Sequence, residues 1–290
     1  MVLKFYIAGA DDARFYRIRR TNLNLMFTAG HHWTGKKFAP FHLPIEHSSL
    51  FLDSGAFQLF GKYNSYPFTT NDYSHFVRNL QPDFFASLDY PCEPFMREKI
   101  GGLSPKDCID KTIENTINLV DEDMESSILV PVIQGWEIAD YLYCVDQMES
   151  QGLIKDYMGI GTLCRRAKVS DLLRIIRNIK RELPQRCKLH GFGVKVNLLK
   201  YQETYRLLVS CDSAAWVSQV AHGEICIFTG KRLIHIPYRD LGIDGIERLS
   251  ISVEGYVSYV EYLISKHSNQ KLLVEILGND ASKRKYKNGQ

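Results

Sequence analysis

Short apolar runs alternate with helical patterns along most of this 290-residue chain, and this alternation constrains the fold more than any other feature. Runs of about four to eight apolar residues suit buried strands, whereas apolar residues spaced three and four apart indicate helices. Strands separated by helices pair in parallel, since a parallel pair needs a crossover connection. Roughly eight such units predict an α/β protein with a single (β/α)8 TIM barrel. The predicted strands are residues 3–8, 23–28, 50–53, 84–88, 128–133, 157–160, 188–192 and 209–211.

We assign residues 1–278 to this barrel, because no interior linker or internal repeat divides them. Within it we predict a basic helical segment near residues 14–20, a hairpin at Gly223–Ile236 and a closing helix at Val253–Lys266. Residues 279–290 are rich in basic side chains and are predicted to form a disordered tail.

The composition excludes several classes of protein. No apolar run is long enough to span a membrane, and the first residues lack the pattern of a signal peptide, so we expect a cytoplasmic protein with no membrane partner. The seven cysteines form no C-x-x-C or C-x-C pair, which argues against a disulfide framework and a thiolate zinc site. The net charge of +3 permits nucleic-acid binding without requiring it.

Polar residues follow several predicted strands at the point where each strand ends. The carboxyl ends of barrel strands meet at one mouth, and the active sites of barrel enzymes lie there. Any one of these residues could instead cap a turn, but a set at successive strand ends favours a shared site. Carboxylates around one mouth suit acid/base or nucleophilic work at a sugar carbon. The set comprises Asp53, Asp89, Gln134, Gly161, Thr162 and Asp212.

The segment after the third predicted strand carries the densest group of such residues. An acid at Asp53 is followed closely by the small residues Gly55 and Ala56 and by the flat ring of Phe57. The small residues allow close approach to the backbone, and the carboxylate can pair with polar edges. These residue types suit the binding of a flat heterocycle with polar edges. The alternative is that they only form a capped turn at a strand end.

These motifs resemble those of the tRNA-guanine transglycosylases, the family of queuine and archaeosine tRNA-ribosyltransferases. Their order and approximate spacing match from about residue 50 to about residue 235. Each motif is short, but the ordered set is fairly specific. The matching segments are Asp53-Ser-Gly-Ala-Phe-Gln58, Asp89, Val132-Ile-Gln-Gly135, Ile160-Gly-Thr-Leu163, His190-Gly-Phe-Gly193 and Asp212-Ser-Ala-Ala-Trp216.

The resemblance implies a pentosyltransferase that exchanges guanine for a 7-deazaguanine base by double displacement. Asp212 is implied to be the catalytic nucleophile that attacks C1′ and forms a covalent intermediate, as in retaining glycoside hydrolysis. Asp53 is implied to be the second catalytic residue, which relays protons to and from the base. Phe57 is implied to stack on the base, and the Gly161 backbone to read its polar edge. The residues placed around the base are Ser54, Phe57, Asp89, Gln134, Gly161 and Thr162.

The chain departs from the family pattern in several ways. Ala56 and Thr162 stand where the family has glycines, which changes the shape of the pocket. The zinc site of the family, C-x-C-x-x-C followed by a histidine, is absent, so we expect no metal and no other cofactor. We also expect no counterpart of the archaeal RNA-binding extension. Since paralogues of the family modify DNA, we expect DNA as the nucleic-acid partner and a 7-deazaguanine base as the small-molecule substrate.

Two alternatives stay open. The first is a transglycosylase that acts on tRNA, and the second is a non-catalytic paralogue that binds a base or a nucleic acid. Retention of all the carboxylates and of the amide at the strand ends argues against the second alternative. The sequence does not determine whether the protein forms a homodimer or which 7-deazaguanine it uses.

Four further residues are candidates for contact with nucleic acid. Arg165 and Arg166 follow the strand that ends before Gly161 and could meet phosphates, or they could mark a solvated helix start. His31 and His32 follow the second strand, where a backbone contact or a solvated loop fits them better than a metal site.

Overall fold

The structure describes most of the chain, with short gaps between the described ranges. The helical segment predicted near residues 14–20 and the side chains of the basic tail lie outside the described residues. The boundary at residue 278, and the disorder expected beyond it, therefore stay predictions. The computed structural model describes residues 2–9, 22–40, 46–120, 122, 127–166, 168–239 and 241–287, with side chains described up to residue 267.

The main sheet consists of nine parallel strands: β1 Lys4–Ala8, β2 Leu23–Thr28, β3 His47–Asp53, β4 Phe84–Ala86, β5 Ile128–Val130, β6 Val132–Ile133, β7 Tyr157–Ile160, β8 Lys188–Gly191 and β9 Ser210–Ser213. Their order across the sheet is β5-β4-β3-β2-β1-β9-β8-β7-β6. Only Pro131 separates β5 from β6, so these two are halves of one interrupted strand. The sheet is a nearly closed barrel with eight strand positions, which confirms the predicted (β/α)8-like fold.

The sheet returns on itself at Pro131. On one side β5 pairs with β4, and the Ser87 N–H donates to the Val130 carbonyl (3.1 Å). On the other side β6 pairs with β7, and the Gly159 N–H donates to the Pro131 carbonyl (2.8 Å). Proline has no N–H to give to a strand ladder, which explains why the strand is split at this residue. The interrupted strand thus joins the two ends of the sheet.

Helices flank the barrel, and a hairpin follows it. The antiparallel pair of β10 Glu224–Phe228 and β11 Leu233–Pro237 confirms the predicted hairpin. None of the described helices has both the length and the apolar composition that crossing a membrane requires. The helices are α1 Ala29–His32, α2 Ala56–Tyr63, α3 Thr70–Leu80, α4 Pro94–Lys99, α5 Pro105–Val120, α6 Ile138–Ser150, α7 Val169–Glu182, α8 Thr204–Leu207, α9 Ala215–Ala221 and α10 Gly245–Lys287.

Side-chain alternation along the strands divides the core into two layers. Tyr6 and Phe51 belong to the cluster inside the barrel, whereas Leu50 and Leu52 belong to the layer beneath the helices. Full burial of such a side chain contributes about 1.5–3 kcal/mol to stability. The same alternation turns Asp53, two residues after Phe51, toward the barrel interior at the mouth.

Candidate active site

A cavity of about 550 Å³ opens at the carboxyl ends of the barrel strands. This volume lies in the range of small-molecule sites. The side chains at the strand ends therefore share one mouth, as the strand pattern predicts. The predicted site residues that line it are His31, Asp53, Ser54, Phe57, Asp89, Gln134, Gly161, Thr162, Arg165 and Asp212.

Asp53 ends β3 at a tight turn into α2. Gly55 makes this turn with a φ of +77°, and a methyl group on it would lie 2.5 Å from the Gly30 nitrogen, so glycine is required. The Gly55 N–H donates to Asp53 Oδ2 (3.1 Å). Loss of water around the carboxyl group, and then the charges of Asp89 and Asp212, raise the pKa of Asp53 from 3.8 to about 8. Asp53 therefore carries a proton at neutral pH.

Asp89 lies at the centre of a buried hydrogen-bond network on the cavity wall. Its Oδ1 accepts from the Ser54 hydroxyl (2.6 Å) and its Oδ2 accepts from Gln134 Nε2. Gln134 Oε1 accepts in turn from the Thr162 hydroxyl (2.5 Å). Burial raises the pKa of Asp89, although the bonds from Ser54 and Gln134 oppose the shift. The network fixes a carboxyl group and an amide side by side, an arrangement that can pair with the polar edge of a planar ligand.

Gly161 contributes space to the cavity. Its backbone, which the resemblance implies would read the base, is already engaged: the N–H donates to the Ile133 carbonyl (3.0 Å), and the carbonyl accepts from the Tyr141 hydroxyl (3.0 Å). A methyl group on Gly161 would lie 2.2 Å from Gln134 Nε2. Glycine at this position therefore lets Gln134 reach Asp89.

Asp212 lies within β9, in register with Tyr6 of β1, and is almost fully buried. Its Oδ1 accepts from the Gly193 N–H (2.8 Å) and lies 3.2 Å from His190 Nε2. Both of these contacts are made by Oδ1, and neither involves Oδ2. One oxygen of the Asp212 carboxyl group is therefore held in place within the protein.

The two catalytic candidates thus have opposite surroundings. Asp53 has lost its water and faces other acids, so it holds a proton, whereas Asp212 receives hydrogen bonds from donors. Two carboxyl groups in one cavity with such different surroundings can divide the work of acid and nucleophile. The cavity can therefore both protonate a leaving group and attack an electrophilic carbon.

Glu93 is a cavity residue that sequence reasoning missed. It is buried, lies at the N-cap of α4 before Pro94, and approaches the Thr162 hydroxyl through Oε2 (3.5 Å). Burial raises its pKa, and the charge of Asp89 adds to the shift. The acid–proline pair marks a helix start in the sequence, but nothing local to it indicates that the carboxyl group turns into the barrel mouth.

Arg165 and Phe57 form a cluster at the rim of the cavity. The Arg165 guanidinium carbon lies 5.0 Å from the centre of the Phe57 ring and 5.6 Å from that of Phe95. The two rings meet edge to face at 5.9 Å. Such contacts hold a cation over a ring while leaving it exposed at the mouth. Stacking of Phe57 on a base, and contact of Arg165 with phosphate, stay predictions.

Three other residues are predicted to contact nucleic acid; one of them lines the cavity, and the other two pack against aromatic rings. His31 lines the cavity, where its charge favours the ionised form of Asp53. His32 is buried, and its ring packs 5.7 Å from that of Phe76. The Arg166 guanidinium lies over the Trp136 ring (3.9 Å) and donates to the Trp136 carbonyl. His32 and Arg166 therefore have packing roles in this structure.

In the part of the chain that the structure describes, no three histidines, cysteines, aspartates or glutamates are arranged so that they could hold a metal ion together. The carboxylates of the cavity are engaged with hydroxyl, amide and imidazole groups instead. The absence of a zinc site stays a prediction that requires measurement.

Comparison with known proteins gives one family. A family model described as DpdA, DeoxyPurine in DNA protein A, matches residues 26–225, about two thirds of the chain. The matched range runs from within β2 to the start of β10 and includes all the predicted residues that line the cavity. Comparison with curated proteins gives no match.

Proposed function

The chain belongs to the DpdA family, a tRNA-guanine transglycosylase-like family involved in 7-deazaguanine modification of DNA, and from this premise we propose that it exchanges guanine in DNA for a 7-deazaguanine base. The observation that carries the proposal is the pair of carboxyl groups, Asp53 and Asp212, in one cavity with opposite surroundings. A base exchange needs both an acid for the leaving base and a nucleophile for the sugar.

In the first step Asp212 attacks the sugar. Its Oδ2 forms a bond to C1′ of the target nucleotide while the bond from C1′ to guanine N9 breaks. Guanine takes the bonding electrons, and protonated Asp53 gives it a proton, so that a neutral base leaves. The product is a covalent ester between Asp212 and the DNA, and Asp53 is left ionised.

In the second step the 7-deazaguanine base replaces guanine in the cavity. Its N9–H gives a proton to ionised Asp53, and N9 attacks C1′ on the face that guanine left. The ester bond to Asp212 breaks, and the carboxylate takes back its electrons. Both carboxyl groups return to their starting states, and no cofactor is consumed.

The network around Asp89 supports recognition of either base. Guanine and 7-deazaguanine both present N–H donors at N1 and N2 beside a carbonyl acceptor at O6. Asp89 suits the donors and Gln134 Nε2 suits the acceptor, so a bound base would exchange the present bond between these side chains for bonds to itself. Since the cavity lies inside the barrel mouth, the target nucleotide must leave the helix stack, at a cost of a few kcal/mol.

The test is a denaturing gel that detects covalent adducts. The wild-type protein is expected to form an adduct with a guanine-containing DNA oligonucleotide, and Asp212→Asn is expected to form none. Asp53→Asn should bind the oligonucleotide but block turnover. Asp156→Asn is a matched control, because Asp156 is an exposed carboxylate at the amino end of β7, away from the cavity.

The same gel discriminates among the alternatives. An adduct that persists in Asp212→Asn but disappears in Asp53→Asn would make Asp53 the nucleophile. An adduct with tRNA and none with DNA would favour the tRNA-modifying alternative. Binding without any adduct in the wild-type protein would favour a non-catalytic paralogue.

A further inference from the structure

We propose that His190 is the positioning residue of the nucleophile, held for that task by a buried chain of hydrogen bonds through Ser210 to Tyr157. The proposal rests on the assignment of Asp212 as nucleophile and adds a residue that does not touch the substrate itself. Its role is to fix the orientation of the attacking carboxylate.

The chain of hydrogen bonds is continuous. His190 Nε2 lies 3.2 Å from Asp212 Oδ1, and His190 Nδ1 lies 2.8 Å from the Ser210 hydroxyl. Ser210 in turn lies 2.5 Å from the Tyr157 hydroxyl. His190, Ser210 and Asp212 are all buried. Tyr157 and Ser210 also line a second cavity, of about 680 Å³, so the chain of bonds runs from the mouth into the opposite part of the barrel.

The donors and acceptors along this chain define one tautomer of His190. An ionised carboxylate only accepts, so the hydrogen between His190 and Asp212 belongs to Nε2. In a neutral imidazole the other nitrogen then accepts, and the Ser210 hydroxyl supplies the proton. Burial raises the pKa of Tyr157, so its hydroxyl stays protonated and donates to Ser210. Every group in the chain thereby has a partner of the right kind.

Aromatic rings prevent the imidazole from turning. The Phe192 ring lies 4.5 Å from the imidazole centre and meets it edge to face, and the Phe51 ring lies 4.7 Å away. Because the ring cannot rotate, its Nε2–H holds Asp212 Oδ1 together with the Gly193 N–H. Oδ2 is then left as the attacking oxygen in a fixed direction.

The first test measures single-turnover adduct formation by variants of the residues in this chain of hydrogen bonds. His190→Leu should slow adduct formation by about 100-fold with little change in DNA affinity, since a small misplacement of a reacting group has an effect of this size. His190→Gln keeps an N–H near Nε2 and should restore most of the rate. Ser210→Ala and Tyr157→Phe should give intermediate losses. Tyr6→Phe is the control: it removes a buried hydroxyl that bonds to Ser49, outside this chain.

Two results would overturn the proposal. One is a His190→Leu rate within about twofold of the wild type, and the other is a loss in Tyr6→Phe equal to that in Ser210→Ala. Nitrogen NMR of the free protein gives a readout that needs no activity: a resonance of protonated Nε2 and unprotonated Nδ1 is expected, and the opposite tautomer would refute the chain. If the wild-type protein forms no adduct while this tautomer is present, the proposed function fails and the arrangement of His190 stands.

Discussion

At the scale of single residues, the difference between Asp53 and Asp212 arises from their neighbours. Asp53 receives one backbone N–H and lies near two other acids, whereas Asp212 meets a backbone N–H and an imidazole. Identical side chains can therefore take different tasks because of the groups around them.

The raised pKa of Asp53 predicts a pH dependence for the first chemical step. Asp53 must be protonated to act as the acid, and its pKa is about 8. The rate of adduct formation should therefore fall above pH 8 by about tenfold per pH unit, as expected for a single essential acid. Rapid-quench measurements across this range test it. The Asp53→Asn variant should lack this decline, and a decline that persists in the variant would assign it to another group.

The raised pKa of Asp53 also predicts that its carboxyl group lowers the stability of the folded protein at neutral pH. When the pKa of a carboxyl group is higher in the folded state than in the unfolded state, the protein loses stability as pH rises between the two values, here from about 4 to about 8. Asp53→Asn should therefore unfold at higher denaturant concentration at pH 8, with a gain of about 0.5–2 kcal/mol. The gain should shrink toward pH 4. A variant that is less stable than the wild type at pH 8 would contradict the raised pKa.

At the scale of elements, the site is made by strand ends and by the turns that follow them. Periodicity in the sequence predicts the strands and hence the shared mouth, because each strand end is visible as an apolar run followed by polar residues. The sequence does not predict α2, since Phe57, Leu59 and Phe60 continue the apolar character of the strand before them. It also does not place Glu93 or the partners of His190, because those contacts join residues that are distant in the chain.

The space left by Gly161 can be tested directly. Gly161→Ala would place a methyl group 2.2 Å from Gln134 Nε2 and should displace that amide from Asp89. We expect guanine affinity to fall by about tenfold or more, which corresponds to about 1.4 kcal/mol. Gly61→Ala in α2 is the matched control, since nothing lies within 4 Å of the added group. Calorimetric titration with guanine measures both, and unchanged affinity in Gly161→Ala would show that Gln134 does not contact the base.

At the scale of the whole molecule, hydrogen bonds and apolar packing bring the site together. The barrel closes through hydrogen bonds at Pro131 and at the pairing of β1 with β9, and the cavity residues are fixed by hydrogen bonds to one another. The stability of this architecture can come from its apolar layers and its strand ladders.

We therefore predict that the purified protein contains no stoichiometric zinc. Elemental analysis should give well below one zinc per chain, and a chelator should leave the melting temperature unchanged, because no folding energy would depend on the metal. About one tightly held zinc per chain would contradict this expectation.

The pairing of β1 with β9 also has a consequence for synthesis on the ribosome. Tyr6 emerges early and lies opposite Asp212, which is made only after most of the barrel. Until then one edge of the nascent β1 has no partner strand. An unpaired strand edge of this kind can either aggregate with other chains or be bound by a chaperone. The strand that seals the barrel is also the one that carries Asp212, the proposed nucleophile. On this proposal a half-made chain cannot attack DNA, and reactivity arises only when β9 has paired with β1.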